Sequence, residues 1–421
     1  MSFGSYSDGL RSTMTGFFQK YGLAFVMVAS YFGSGSVFIA SQAGVKFGYA
    51  LIWAVVGGAL IGFIGQDMSA RLGIFGVPLM EFARRKLGRT GATLLAVLLS
   101  VGCVAWALEL TAAVGMGISI LLGGAIGWQP LAVVTGALAI LIGVMDYEGV
   151  ERIMTLMMLG LLAVYVTVAG VSSPSMTGIA SGFVPSIPGG SLTLAAAIVG
   201  TTALWPNFFL ESNLVDEKGW TSRADLPDVR RDLGLGYLVG GITTIAILVV
   251  AAAVLRPAGY TNLDTFITPG RALADVLGQW AMFVFLFGTI AAAFNSIIPI
   301  MWTPSYLLQH ACGRRADSSS REFKLIYAVG VGIGSLSPLV HQFAGLSVID
   351  MIILFPAYNG IISLPIAAVL LFWAVNDRQT MGEDKNSLGL SLVNATLVLL
   401  SIYLAATSLP GFIETLTTGG I

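Results

Sequence analysis

Charge is what this 421-residue chain has least of. Asp, Glu, Lys and Arg make up 10% of it, against roughly 25% in an average soluble domain. That scarcity excludes an ordinary cytosolic enzyme, a disordered chain and a nucleic-acid binder with a basic face. The 21 basic and 22 acidic residues leave a net charge of −1, which steers nothing at long range. The two cysteines, Cys103 and Cys312, make neither a disulfide framework nor a ligand cluster. Two histidines, His310 and His341, exclude a His-rich metal site. No nucleophile is paired with a base and no phosphate loop is present, so the chain is not expected to be an enzyme, to carry a cofactor or to bind nucleic acid.

What is abundant is apolar. Hydrophobic residues make up 56% of the chain, and mean hydropathy is +0.86. A spanning helix needs about 20 apolar residues to cross a hydrocarbon core about 30 Å thick. Eleven segments qualify, near 22–46, 49–69, 92–122, 128–146, 153–172, 190–214, 233–255, 273–309, 323–340, 350–375 and 388–408. The first is too long and too polar in its middle for a signal peptide. The hydrophilic stretches 216–232 and 310–324 read as loops, so 1–421 is expected to be one all-α integral membrane domain. The stretch 76–89 mixes apolar and basic residues and reads as an interfacial helix or a short amphipathic connector.

The positive charges test this layout. With the N-terminus in the cytoplasm, Arg11, Lys20, Arg71, Arg84, Arg85, Lys86, Arg89, Arg152, Lys218, Arg223, Arg230, Arg231, Arg314, Arg315, Arg321, Lys324, Arg378 and Lys385 fall inside. Lys46, Arg256 and Arg271 fall outside. This is a strong positive-inside bias. It predicts a multi-pass protein of the plasma membrane with a cytoplasmic N-terminus and an external C-terminus.

Two spans are interrupted. In the first, Gly33, Ser34, Gly35 and Ser36 break an apolar run, and each glycine weakens a helix by about 1 kcal/mol. In the sixth, Pro206 removes a backbone hydrogen bond and is flanked by Thr201, Thr202 and Asn207. Freed backbone groups must be buried in protein or line a wet cavity. Glycine and proline often mark only a kink or a close packing contact. Two breaks at matching positions, in spans 1 and 6, point instead to an inverted repeat of five plus five helices, with substrate between the unwound segments.

Around these breaks the sequence resembles the Nramp family of metal-ion transporters, which have a LeuT-like fold. The resemblance rests on Gln42-Ala43-Gly44, Phe47-Gly48-Tyr49 with Leu51-Ile52-Trp53, and Ala70-Arg71-Leu72-Gly73. These echo the family's Gln-Ala-Gly, Gly-Tyr-x-Leu-Leu-Trp and Ala-Arg-Leu-Gly. Phe183-Val184-Pro185 and Ser363-Leu364-Pro365 fit as well. The resemblance implies eleven transmembrane helices: a first repeat over 22–172, a second over 190–375 and an extra helix at 388–408.

The family's functional residues do not carry over. Its span 1 motif, Asp-Pro-Gly-Asn, falls on Gly33-Ser34-Gly35-Ser36, so the metal-binding Asp becomes Gly33 and the Asn becomes Ser36. The Met of span 6 falls on Leu204, or on Trp205 after a shift of one residue. A second family histidine falls on Glu211 and the span 10 glutamine on Ser363. An Asp associated with proton transfer falls on Glu109, and a nearby Glu on Ala112. Gly33, Ser36 and Leu204 therefore mark metal-ligand positions whose ligands are not retained.

The remaining chemistry is hydroxyls, amides and carbonyls: Ser34, Ser36, Thr201, Thr202, Asn207 and Ser363, with no formal negative charge at either break. Mn²⁺ and Fe²⁺ favour a carboxylate and benefit from sulfur, whereas Mg²⁺ keeps much of its water. This set favours a hydrated cation. The alternatives are a small organic solute or anion at half-helix N-termini capped by serines, or a non-transporting sensor or partner subunit. Glu109 and Glu211 are the carboxyls inside the spans, where burying charge is expensive. Glu109 has no obvious local partner and is a proton-carrier candidate, which makes protons a candidate coupling ion. Glu211 is a gating or exit candidate. For both, simple packing and hydrogen bonding to neighbouring helices is the bland alternative. Asn295, Ser296, Tyr358 and Asn359 are explained by interhelical hydrogen bonds, and Trp205 by gating or filling volume.

Overall fold

The computed structural model describes residues 21–263 and 268–418. Arg11 and Lys20, two of the basic residues assigned to the inner side, lie outside the described residues. All regular structure among the described residues is helical. The interrupted first span is α1 (Leu23–Tyr31) and α2 (Ser34–Phe47). Then come α3 (Ile52–Phe75), α4 (Leu79–Leu121), α5 (Trp128–Gly143), α6 (Tyr147–Val171) and the short α7 (Met176–Gly182). The interrupted sixth span is α8 (Leu192–Thr202) and α9 (Trp205–Glu217). The chain continues through α10 (Leu226–Val250), α11 (Thr268–Leu277), α12 (Gln279–Ala311), α13 (Arg321–Gly334), α14 (Ser337–Ala344), α15 (Val348–Tyr358), α16 (Leu364–Asn376) and α17 (Leu388–Thr418).

Nine of the described helices, some of them joined pairs, are long and apolar enough to cross a membrane, and the bent pair α1–α2 makes ten. The fourth expected span is helical, but α5 has 16 residues and falls short of that length. Three boundaries also differ from expectation. Residues 273–277 belong to α11, not to the eighth span, because Gly278 turns the chain with a φ of 96°. The expected loop 216–232 contains the end of α9 and the start of α10. Residues 79–87 form a helical stretch that leads into the rest of α4 through Gly88, whose φ of 71° suits a residue without a Cβ. Leu79, Met80, Phe82 and Ala83 on it are buried against the bundle, so this stretch is a docked connector.

The core follows from helix surroundings. All nine residues of α1 are buried, as befits a helix apolar on every side. Small residues on α3 let its neighbours approach: a Cβ on Gly62 would meet the Tyr237 ring, and one on Gly58 would meet Val199 and Thr202. The basic loops gather at one end of the bundle, tied by Arg71 to Asn386 (3.0 Å), Lys86 to Asp377 (2.9 Å), Lys218 to Glu151 (2.8 Å) and Arg230 to Asp67 (2.7 Å). At the other end Arg256 lies against Gly48, and the Trp53 indole donates to the Ser186 carbonyl at 2.8 Å.

Candidate functional site

The first break is narrower than the Gly-Ser-Gly-Ser run. Helix stops at Tyr31 and resumes at Ser34, with a 65° bend, so Ser34, Gly35 and Ser36 form the first turn of α2. The reason is that glycine lowers helix stability without forbidding the first turn. In span 6 the break falls at Ala203 and Leu204, and Pro206 sits inside the first turn of α9, where its missing N–H costs nothing.

Carbonyls near the end of α1 find side-chain partners on α2, α9 and α12. Ser36 Oγ donates to the Tyr31 carbonyl at 2.6 Å, Ser296 Oγ to Ala29 at 2.7 Å and Asn207 Nδ2 to Met27 at 3.1 Å. Asn207 Oδ1 also accepts the Ser30 hydroxyl. These groups therefore satisfy backbone acceptors. The expected serine caps on the α2 N-terminus do not form: neither α2 nor α9 has a side-chain cap.

Between the breaks lies a cavity of about 570 Å³. Gly33, Gly35, Ser36, Thr201 and Leu204 line it from the broken spans, Ser296 from α12, and Trp106 and Glu109 from α4. Glu109 is buried, and its carboxylate accepts the Ser34 hydroxyl at the start of α2. This corrects two expectations. Glu109 does have a partner, and the first break does have a carboxyl beside it. The partner comes from another helix, which spacing along one span does not reveal. A carboxylate at a helix N-terminus also meets the favourable end of the helix dipole.

Other expected residues are placed elsewhere. Thr202 Oγ1 bonds back to Ile198 at 2.9 Å and packs toward Gly58, away from the cavity lining. Asn207 is consumed by the span 1 break. Ser363 is buried on a π-helical turn, Asn359–Ser363, and faces Gly102 of α4. Glu211 is buried one turn beyond Asn207, off the cavity lining. Trp205 stacks on Trp106, with ring centroids 6.2 Å apart, and donates its indole N–H to Asn359 Oδ1 at 3.1 Å. Asn359 Nδ2 in turn donates to the Gly102 carbonyl at 2.9 Å, so one amide joins spans 3, 6 and 10. Among the described residues no group of three or more His, Cys, Asp or Glu side chains could hold a metal ion. Trp106, Asn262 and Tyr31 also line the cavity, although the sequence pattern did not mark them. Trp106 lies one helical turn before Glu109, a signal that was readable; Asn262 sits in irregular chain with no periodicity to mark it.

Two interrupted helices that enclose a largely apolar cavity with one carboxyl and several hydroxyls in its lining define a fold of the broken-helix membrane transporter class. The family model for natural resistance-associated macrophage protein-like proteins, Nramp, matches residues 24–410. The chain belongs to the Nramp family, as a multi-pass helical membrane protein with a LeuT-like fold. The divalent metal cation transporter MntH of Yersinia enterocolitica is 28% identical over 286 residues, covering 66% of this chain and 69% of MntH. MntH of Klebsiella pneumoniae is 28% identical over 284 residues, covering 66% and 68%. The manganese transporter of Eremococcus coleocola, solved with an aromatic bis-isothiourea substituted compound, superposes with a TM-score of 0.77 at 18% identity, over 96% of this chain and 89% of that one. Mhp1, a nucleobase-cation-symport-1 family transporter, superposes with a TM-score of 0.64 at 18% identity, over 94% and 93%.

Proposed function

We propose that this chain is a secondary transporter that carries a metal cation through the cavity between spans 1 and 6, with Glu109 as its charged ligand. Membership of a family that includes divalent metal cation transporters supports metal-ion transport. The observation that carries the role of Glu109 is its placement against Ser34 at the break, inside the cavity. A cavity of about 570 Å³ is far larger than a bare ion, and each water takes about 30 Å³. It has room for a cation that keeps most of its first shell, the habit of Mg²⁺. The hydroxyls of Ser36, Thr201 and Ser296 spend their protons on backbone carbonyls. Each keeps lone pairs that suit the hydrogens of coordinated water. With neither a sulfur nor a second carboxylate among the lining residues, the set favours a hydrated ion over bare Mn²⁺ or Fe²⁺.

In this reading the two halves, 22–172 and 190–375, are the inverted repeats, and 388–408 is an added helix. The chain sits in the plasma membrane with its basic end and N-terminus in the cytoplasm and its C-terminus outside. Glu109 is also the group through which protons compete or couple. The test is uptake into proteoliposomes, with saturable Mg²⁺ flux exceeding Mn²⁺ flux; robust saturable Mn²⁺ uptake refutes the hydrated-ion reading.

A second reading is favoured by the apolar part of the lining, which includes Phe38, Ile39, Leu110, Leu204 and Ile300. A largely apolar cavity with a few polar groups is a usual small-molecule site, and Mhp1, of similar fold, was solved with bromovinylhydantoin bound. A solute panel in the same vesicles separates the two. Absence of any flux favours a sensor or partner subunit.

A further inference from the structure

Beneath the cavity is a second set of buried polar groups. Glu211 on α9 is fully buried, and neither carboxylate oxygen has a hydrogen-bond partner among the described residues. Asp232 on α10 is equally buried. Its Oδ2 accepts the Ala24 amide at 2.7 Å, at the start of α1, and its Oδ1 has no partner among the described residues. Asn207, one turn before Glu211 on α9, and Asp232 on α10 both bond to α1, at the Met27 carbonyl and the Ala24 amide, and the Tyr237 ring lies against Gly62, one turn before Gln66 on α3. Spans 1, 2, 6 and 7 thus each bring a group to one place.

The nearby bases are already engaged. Arg230 pairs with Asp67 at 2.7 Å and Lys218 with Glu151 at 2.8 Å. Among the described residues neither Glu211 nor Asp232 makes an ion pair, and the nearest base to Asp232, Lys218, is paired with Glu151. Buried polar groups without partners need an explanation, and an ion is one of the few that answers for oxygens from several helices at once.

The position adds to this. Tyr31 lines the cavity, and its ring stacks on Tyr237 with centroids 5.7 Å apart. The stack thus joins the cavity lining to α10, the helix that carries Asp232. Leu204 lines the cavity seven residues before Glu211, a rise of about 10 Å along a helix.

We propose that Glu211 and Asp232, with the amide oxygen of Gln66 and the hydroxyl of Tyr237, form a second cation site that takes one divalent ion beneath the cavity, toward the basic end of the bundle. Two carboxylates with neutral oxygens and retained water are a normal ligand set for a hard divalent cation. Glu211 and Asp232 then form a resting point for an ion that has left Glu109 and passed the Tyr31–Tyr237 stack. The site stands on its own residues and does not require the assignment of Glu109.

The test uses the full chain in detergent, titrated with MgCl₂ and with MnCl₂, and reads bound ion by calorimetry alongside the thermal unfolding midpoint. A ligand that binds the folded state raises that midpoint. Glu109→Gln is expected to keep part of the cation-induced shift. Glu211→Gln and Asp232→Asn are each expected to lose the part that Glu109→Gln keeps. Both replacements are close in shape, and the side-chain amide oxygen introduced by Asp232→Asn still accepts from the Ala24 N–H. Without added cation, Glu211→Gln is expected to unfold no lower than the unmodified chain, because a neutral amide replaces an unpartnered carboxyl. Equal cation shifts in Glu211→Gln and the unmodified chain overturn the proposal. So does complete loss of binding in Glu109→Gln, which leaves the cavity as the sole site. Loss of binding in the Glu211 and Asp232 variants but not in Glu109→Gln upholds this site and removes the cavity assignment instead.

Discussion

The Ser34 hydroxyl donates to the Glu109 carboxylate across 75 residues of sequence and ties the third span to the break in the first. That bond puts a carboxyl beside the uncapped start of α2. It also does this where the aligned family position for the metal-binding Asp holds Gly33, which has no side chain. The charge at the cavity is delivered by a neighbouring helix.

Glu109→Gln is expected to preserve the fold, since an amide oxygen still accepts from Ser34. Cation uptake should fall about 10-fold or more, the scale of losing one interaction with a charged group. In the unmodified chain, cation binding requires the deprotonated carboxylate. Uptake should therefore decline on acidification, and the variant should lose that dependence. Initial rates in proteoliposomes across a pH series check both. Unchanged transport and unchanged pH response in the variant remove Glu109 from the mechanism.

Gly33 and Gly35 should behave differently although they are two residues apart. A Cβ on Gly33 comes within 3.0 Å of Ser296 Oγ, the hydroxyl that serves the Ala29 carbonyl, whereas a Cβ on Gly35 meets nothing within 4 Å. Gly33→Ala should cost about 1–3 kcal/mol through overpacking. Gly35→Ala, inside a helix, should leave stability level or raise it by up to about 1 kcal/mol, while its methyl intrudes on the cavity and slows transport. Gly33→Asp should not restore a family-type site, because its carboxylate displaces Ser296. Thermal unfolding paired with uptake measures each of these. Equal stability for the two alanine variants contradicts the geometry.

Asn207→Ala removes one hydrogen bond from the Met27 carbonyl and one from the Ser30 hydroxyl, which keep their bond to each other at 3.0 Å. Each lost hydrogen bond costs about 0.5–1.5 kcal/mol, so the unfolding midpoint should drop clearly. Asn207→Asp should be at least as damaging, because it loses the donor and adds a buried charge. A midpoint unchanged in both variants shows that the end of α1 is held by other contacts.

Trp205→Phe removes the donor to Asn359 Oδ1 but keeps an aromatic ring against Trp106. If this link sets the relative motion of spans 6 and 10, transport rate should change more than stability. Trp205→Ala, which also opens a hole, should lose about 3–5 kcal/mol. Comparing the two by uptake and by thermal unfolding separates the hydrogen bond from the packing.

The helical bundle and its two interruptions were legible because long apolar runs and the Gly-Ser-Gly-Ser and Trp-Pro signals are local. The exact break points were not, because a first helical turn tolerates both glycine and proline. The cavity lining was legible where residues lie on the interrupted segments, as for Gly33, Ser36 and Leu204. It was not legible where a partner arrives from another helix, as with Ser34 and Glu109, or Ser296 and Ala29. Asp232 read as a loop residue, yet it is buried on the same face of α10 as Gly236 and Gly240. Its spacing of four from Gly236 was a usable signal that hydrophilicity concealed.

The most direct test of the central claim is initial-rate uptake of Mg²⁺ and Mn²⁺ into proteoliposomes containing the unmodified chain or Glu109→Gln, with reconstitution matched between them. The account predicts saturable Mg²⁺ entry that exceeds Mn²⁺ entry and collapses in Glu109→Gln. Mg²⁺ entry that is absent, or equally fast in both proteins, contradicts it.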